Sequence, residues 1–162
     1  MPAIHPADPA RDLRAALQNE HAAFQAFAGL LQDEQESLLR GETDYLLDGA
    51  GKKAEALLQL RQLSARRNEL LARQKLAADR KGMEAWLGAN PDPALETLWL
   101  DVLQAAEDAR RLNETNGIII SARLRHNQQA LAVLCNVARS TSLYGPDGSA
   151  RLTNAARHFG AA

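Results

Sequence analysis

Two Asp-Pro dipeptides, Asp8-Pro9 and Asp92-Pro93, each head a long stretch whose apolar residues recur every three or four positions. An aspartate placed there accepts from the first unpaired N–H groups of a helix, and proline suits the first helical position because its missing N–H would have had no partner. Behind Asp8-Pro9 the apolar seam reads Leu13, Leu17, Phe24, Phe27, Leu31 and Leu38, with gaps at Glu20 and Glu34. Gly41 then supplies a left-handed stop. This spacing predicts a first helix over residues 9–40.

Thr43 is placed to cap a second helix, predicted over 43–79, with Asp44 in the first turn where the helix dipole favours a carboxylate. Its seam reads Leu47, Ala50, Ala54, Leu57, Leu60, Leu63, Arg67 and Leu70. The short link between the two helices implies an antiparallel hairpin. Gly82, Gly88 and Asn90-Pro91-Asp92-Pro93 then break the pattern, leaving room for one helical turn at Met83 to Leu87, with Trp86 covering the end of the bundle.

The third helix, predicted over 93–139, begins with Leu95, Leu98, Val102, Ala105, Ala109 and Leu112. After Asn116 the stripe shifts to Ile120, Leu124, Asn127, Leu131 and Leu134, and the steps of four that bridge the shift are a stutter, which locally unwinds a supercoil. Asn116-Gly117 followed by Ile118-Ile119-Ile120 also spells a turn and a strand. No partner strand is visible and the helical period resumes at once, so the reading is one helix of about 45 residues, roughly 65 Å at 1.5 Å per residue.

Composition agrees with this class. The chain has 31 Ala and 26 Leu among 162 residues, against 3 Val and 4 Ile, and 4% aromatics. Strands favour β-branched and aromatic side chains, whereas Ala and Leu favour helices. The expected fold is all-α: an elongated antiparallel bundle of three long helices over residues 1–139, with a short helical turn between the second and third. A flexible C-terminal tail over 140–162 follows. Ser140-Thr141-Ser142 and Gly145-Pro146-Asp147-Gly148 are loop chemistry, and Leu152 to Phe159 has the pattern of one weak amphipathic helix.

Several function classes recede at this point. A net charge of −1 gives no global field toward nucleic acid or anionic membranes. No apolar run approaches ~20 residues, and the first ten residues lack the basic-then-apolar pattern of a secretory signal. A single cysteine, Cys135, fits a reducing cytoplasm; beside Leu134 it reads as a buried, inert thiol. None of His5, His21, His126 and His158 follows a glutamate by three residues, so the di-iron bundle motif is missing. There is no phosphate-binding glycine loop and no cysteine pair. Slender helices joined by short links leave little concave volume for a small substrate. The expectation is a protein without catalysis, cofactor or metal.

Charge is segregated although the total is small. Residues 82–115 carry 7 acidic and 2 basic groups, while residues 116–162 carry 5 arginines and one acid, Asp147. The second stretch is either a basic docking face or an exposed face that balances acidic neighbours. Polar residues also interrupt the third helix: Asn113, Asn116, Gly117, Asn127, Gln128 and Gln129. A buried Asn costs stability but fixes register or partner. Either these residues make interhelical hydrogen bonds within the chain, or they line a groove for another protein's amphipathic helix, with Leu124, Leu131 and Leu134 supplying apolar contact.

Three motifs in order carry a resemblance: Asn113-x-x-Asn116-Gly117, then Asn127-Gln128-Gln129-Ala130-Leu131-x-x-Leu134, then Leu143-Tyr144-Gly145-x-Asp147-Gly148. With Leu38-Leu39-x-Gly41, Lys53 and the Leu57-Leu58 to Leu70-Leu71 run upstream, the chain resembles the FlgN family of flagellar type III export chaperones over about residues 30–150. The resemblance implies a cytoplasmic chaperone that binds the amphipathic C-terminal segment of hook–filament junction proteins, blocks their premature assembly and delivers them to the export gate. It would place Asn116, Gly117, Ile120, Leu124, Asn127, Leu131 and Leu134 in the client-binding region. Leu143, Tyr144, Gly145, Asp147 and Gly148 would dock on the cytoplasmic domain of the membrane export gate. The alternative is a self-associating coiled-coil scaffold with no secretion role.

Overall fold

The structure is a computed structural model that describes residues 8–42 and 44–143, with side chains over 8–42 and 48–137. Every regular element among these residues is a helix: α1 (Pro9–Arg40), α2 (Asp44–Arg73), α3 (Arg80–Ala89) and α4 (Pro93–Leu143). The chain divides into two compact units, Met1–Ile119 and Ile120–Ala162.

The helix ends follow from local chemistry. Asp8 accepts from the Ala10 N–H, and Asp92 accepts from the Ala94 and Leu95 N–H groups, each at 3.1 Å. Helix α1 closes on Gly41 in the left-handed region (φ 82°), whose N–H and that of Glu42 return to the Leu38 and Ser37 carbonyls. Helix α2 ends in the same way without a glycine. Lys75 takes φ 59°, its N–H bonds the Ala72 carbonyl at 2.9 Å, and the Leu76 N–H bonds the Leu71 carbonyl at 3.1 Å. Leu76 then packs on the cluster that buries Leu71, the apolar contact that accompanies this type of C-terminal cap.

That cap corrects the expected boundary: the second helix stops at Arg73 rather than 79, because a lysine occupies a position that glycine ordinarily signals. The released residues 74–79 lead into α3, ten residues long where one turn was expected. Asp79 caps it through the Gly82 N–H at 3.0 Å. Gly82 is required there: a Cβ on it would stand 1.8 Å from the Ala77 carbonyl oxygen. At the other end of the chain, the helix expected to stop at 139 continues to Leu143. Asn116 and Gly117 lie inside α4, so no strand forms at Ile118–Ile120. The Thr43 cap lies outside the described residues.

The first unit has two apolar clusters. The larger takes Leu13, Ala16 and Leu17 from α1, Leu70 and Leu71 from α2, Met83, Trp86 and Leu87 from α3, and Leu95, Trp99 and Val102 from α4. Trp86 is buried in this cluster. The smaller joins Phe27, Leu31, Leu60 and Ala109. The α1 seam is buried as expected, apart from a half-buried Phe24. The α2 seam is buried only in its second half: Ala50, Ala54 and Leu57 are exposed, whereas Leu60 and Leu70 are buried, with Leu71 beside them, and Leu63 and Arg67 are half-buried.

Candidate functional site

Three polar ties organise the first unit, and two occupy the gaps in the α1 seam. Glu20 is buried; its carboxylate accepts from Arg67 Nη1 at 2.9 and 3.0 Å and from the Ser64 hydroxyl at 2.6 Å. The Arg67 guanidinium lies 5.1 Å from the centre of the Trp99 ring, a cation–π contact that carries the tie from α2 to α4. Glu34 accepts from Lys53 Nζ at 3.0 and 3.3 Å and from Asn116 Nδ2 at 2.8 Å. The third tie joins Arg14 of α1 to the Asp92 cap of α4. Between α1 and α2 the pairs run in opposite chain order, Glu20 with Arg67 and Glu34 with Lys53.

Asn116 therefore belongs to the bundle. Its side chain is 0% exposed, and Nδ2 also donates to the Leu31 carbonyl at 2.8 Å. This corrects its assignment to a client surface: of the two readings open for a polar residue in the stripe, the interhelical hydrogen bond is the one realised. Gly117 is exposed, and a Cβ on it would meet open space, so it marks no close approach of another element.

Asn116 is the last fully buried residue of α4 among the described side chains. In the second unit, taken by itself, the expected stripe is present on one face. At 100° per residue, Ile120, Leu124, Asn127, Leu131 and Leu134 fall within an arc of about 80°. All five are exposed, with Leu131 at 61% and Leu134 at 64%. An apolar row of this length on a single helix matches the width of a helix–helix seam. Ile118, Val133 and Val137 are also exposed; they sit off the seam arc, which is why period alone did not select them. Cys135, expected to be buried, is exposed beside the stripe. Leu143 ends α4, and Tyr144, Gly145, Asp147 and Gly148 lie outside the described residues.

One concavity was not expected from the sequence. A groove of about 510 Å³ opens between α2 and α4, with Phe24, Phe27, Leu57, Leu60 and Ala109 among its apolar walls. Its polar lining, Arg61, Ser64, Asn68, Arg110 and Asn113, includes no carboxylate, histidine or cysteine. Arg110 is already held by Glu107 and Glu114. The Arg110 side chain, through its hydrogen bonds and charge, keeps the Glu107 carboxyl below the ordinary range. Glu107 and Asp108 are thus salt-bridged surface groups. Among the described residues no group of three or more His, Cys, Asp or Glu is placed to hold a metal ion. No described helix is long and apolar enough to cross a membrane.

The family described as FlgN protein matches residues 10–151. The flagella synthesis protein FlgN of Yersinia enterocolitica is 48% identical over 59 residues, 36% of this chain and 40% of that relative. The Proteus mirabilis protein of the same description is 28% identical over 142 residues, 86% of this chain and 90% of the relative. That of Salmonella typhimurium is 30% identical over 98 residues, 59% and 68% of the two chains. The match to the Yersinia relatives spans less than half of their length. No solved structure matches the chain.

Proposed function

The chain belongs to the FlgN family, and from that premise we propose that it acts in flagellum synthesis as a cytoplasmic export chaperone. It binds the amphipathic C-terminal segment of hook–filament junction proteins, prevents their premature assembly and delivers them to the type III export gate. No catalysis, cofactor or metal enters this role. The observation that carries it is the exposed row Ile120, Leu124, Asn127, Leu131 and Leu134 on α4.

A helix whose seam residues are exposed leaves apolar area in water. Burying it contributes about 25 cal/mol per Å². A client helix supplies that burial, with Asn127 hydrogen-bonding at the seam and fixing register. Within this reading the first unit is the scaffold, an antiparallel arrangement of the long helices joined by α3, supported by the opposite chain order of the Glu20–Arg67 and Glu34–Lys53 pairs. Leu143, Tyr144, Gly145, Asp147 and Gly148 form the gate-docking motif. An aromatic anchor such as Tyr144 suits a docking contact of this kind.

Co-purification with a hook–filament junction protein tests the role, with Cys135 as a built-in probe. Client binding is expected to protect this exposed thiol from alkylation. Deleting residues 140–162 is expected to spare client binding and impair docking on the gate. Loss of client binding on that deletion contradicts the division of labour. A tight oligomer unaffected by client contradicts the chaperone role and favours the scaffold.

A further inference from the structure

We infer that the groove between α2 and α4 receives one α-helix of a protein partner, with an apolar face and a single Asp or Glu set against Arg61. This site lies wholly within the first unit and stands apart from the α4 row and from the chaperone reading. Phe24, the α1 seam position left half-buried, and Leu57, an α2 seam residue 44% exposed, both line it. Two apolar residues whose period assigns them to a seam thus meet at a place that the described chain does not cover.

The shape of the groove selects a helix. Its α2 wall runs from Leu57 to Asn68, about 16 Å at 1.5 Å per residue, or three turns. Ala65, Ala106 and Ala109 keep the walls low, and the volume of about 510 Å³ holds the large side chains along one face of a helix. The walls are themselves helices, so their backbone groups are already paired. An extended segment laid between them would bury N–H and C=O groups without partners, whereas a helix arrives with its own bonds made. A helix also covers the open side with its own polar face, which a bound acyl chain cannot do. With Phe24 and Phe27 of α1 beneath it and α2 and α4 on either side, the occupant takes the place of a fourth helix.

The charges select the sign. Arg61 is exposed on the α2 wall and makes no ion pair or hydrogen bond among the described residues. Across the groove, Arg110 is spent on Glu107 and Glu114. Ser64 donates its hydroxyl to Glu20, and Asn68 accepts from Arg67 through Oδ1, which leaves the Asn68 NH2 group as a donor. No carboxylate lines the groove. Arg61 and the Asn68 NH2 group, both on the α2 wall, therefore receive one carboxylate, through a charge-assisted hydrogen bond. A Lys in the same place would face Arg61 and be rejected. Apolar burial supplies most of the affinity, and Arg61 fixes which way round the helix lies.

The test uses three synthetic peptides of ~18 residues, long enough to hold a helix, with one common Leu row and Glu, Gln or Lys at one position on its edge. Binding to the full chain is read by fluorescence anisotropy. The Glu peptide should bind at least about tenfold more tightly than the Lys peptide, with Gln between them. Arg61→Glu should reverse that order. Ala65→Trp, at an exposed position on the α2 wall, should fill the groove and abolish binding with the melting midpoint unchanged. Leu131→Asp, outside the groove, should leave peptide binding as it is. Equal affinity of the three peptides, failure of all three to bind, or full binding by the Ala65→Trp chain overturns the inference. Loss of binding in the Leu131→Asp chain puts the peptide on the α4 row and overturns it as well. A stable dimer of the chain alone that Ala65→Trp dissolves gives the groove to a second copy, and dodecanoate binding that Ala65→Trp abolishes, with no peptide bound, gives it to an acyl chain; either result overturns the assignment. The chaperone reading stands on the α4 row and is tested there, so it survives each of these failures.

Discussion

Asn116 of α4 donates from Nδ2 to the main-chain carbonyl of Leu31 on α1, at 2.8 Å and out of contact with water. The same nitrogen donates to Glu34, which also holds Lys53 of α2. One amide thus ties three helices at the last buried position of α4. Asn116→Ala leaves a buried carbonyl and a carboxylate short of a donor, at a cost of about 1–3 kcal/mol. Urea unfolding should register that loss, while affinity for client peptide at low denaturant should hold. A fall in affinity with unchanged stability would return Asn116 to the client surface.

The Glu20–Arg67 pair is the other internal tie, with side chains 2% and 12% exposed. Removing one partner of a buried pair strands the other charge, so Glu20→Leu and Arg67→Met should each cost about 3–5 kcal/mol. The double variant Glu20→Leu/Arg67→Met should recover most of the loss, because no charge is then left unpaired. Additive losses in the double-mutant cycle would show that the two residues act separately.

Gly82 stands where α3 turns against the Ala77 carbonyl. Gly82→Ala places a methyl inside that contact. Overpacking of this kind typically costs about 1–3 kcal/mol, and here the obstacle is backbone, which yields less readily than a flexible side chain. Tryptophan fluorescence should report it, since Trp86 is buried on α3. An unchanged melting midpoint would contradict the geometry of this turn.

Asp92 links cap chemistry to pH. The Leu95 N–H above all, with the Arg14 guanidinium and the Ala94 N–H, holds its carboxyl below the ordinary value, against an opposing push from partial desolvation. A carboxyl depressed in the folded state contributes stability above its unfolded value of about 3.9, and that contribution is lost as pH falls through the folded value. Asp92→Asn keeps a capping acceptor and removes the charge. The variant should melt below the parent at neutral pH, and the gap should close as the pH drops below about 4. A gap that is the same at both pH values would show that the charge contributes nothing.

The polar ties also mark what a single sequence can reveal. The helix starts at Asp8 and Asp92 were legible because capping is local chemistry. The α1 seam was legible because five of its six apolar positions are fully buried. Its gaps at Glu20 and Glu34 were visible, but their partners lie on another helix, and periodicity carries no information about partners. The α2 seam failed in its first half, where Ala and Leu occur on several faces, so that period alone selected Ala50, Ala54 and Leu57 instead of Lys53 beside Glu34 and Ala56 on the Phe27 cluster. Its end was missed because Lys75 adopts a left-handed conformation that nothing in its side chain announces. The stripe on α4 was legible as a pattern. The burial of Asn116 and the exposure of Cys135 depend on which helices reach that point, and no local signal encodes it.

The most direct measurement of the central claim is the affinity of the Leu131→Asp chain for the C-terminal segment of a hook–filament junction protein, taken by calorimetry beside the melting curve. Leu131 is largely exposed, so the substitution should leave the melting midpoint within about 2 °C of the parent, since exposed changes of this kind are usually within ±0.5 kcal/mol. It should weaken client binding at least tenfold, because the carboxylate enters the centre of the apolar row. Unchanged affinity together with an unchanged midpoint would contradict the assignment of this face to the client.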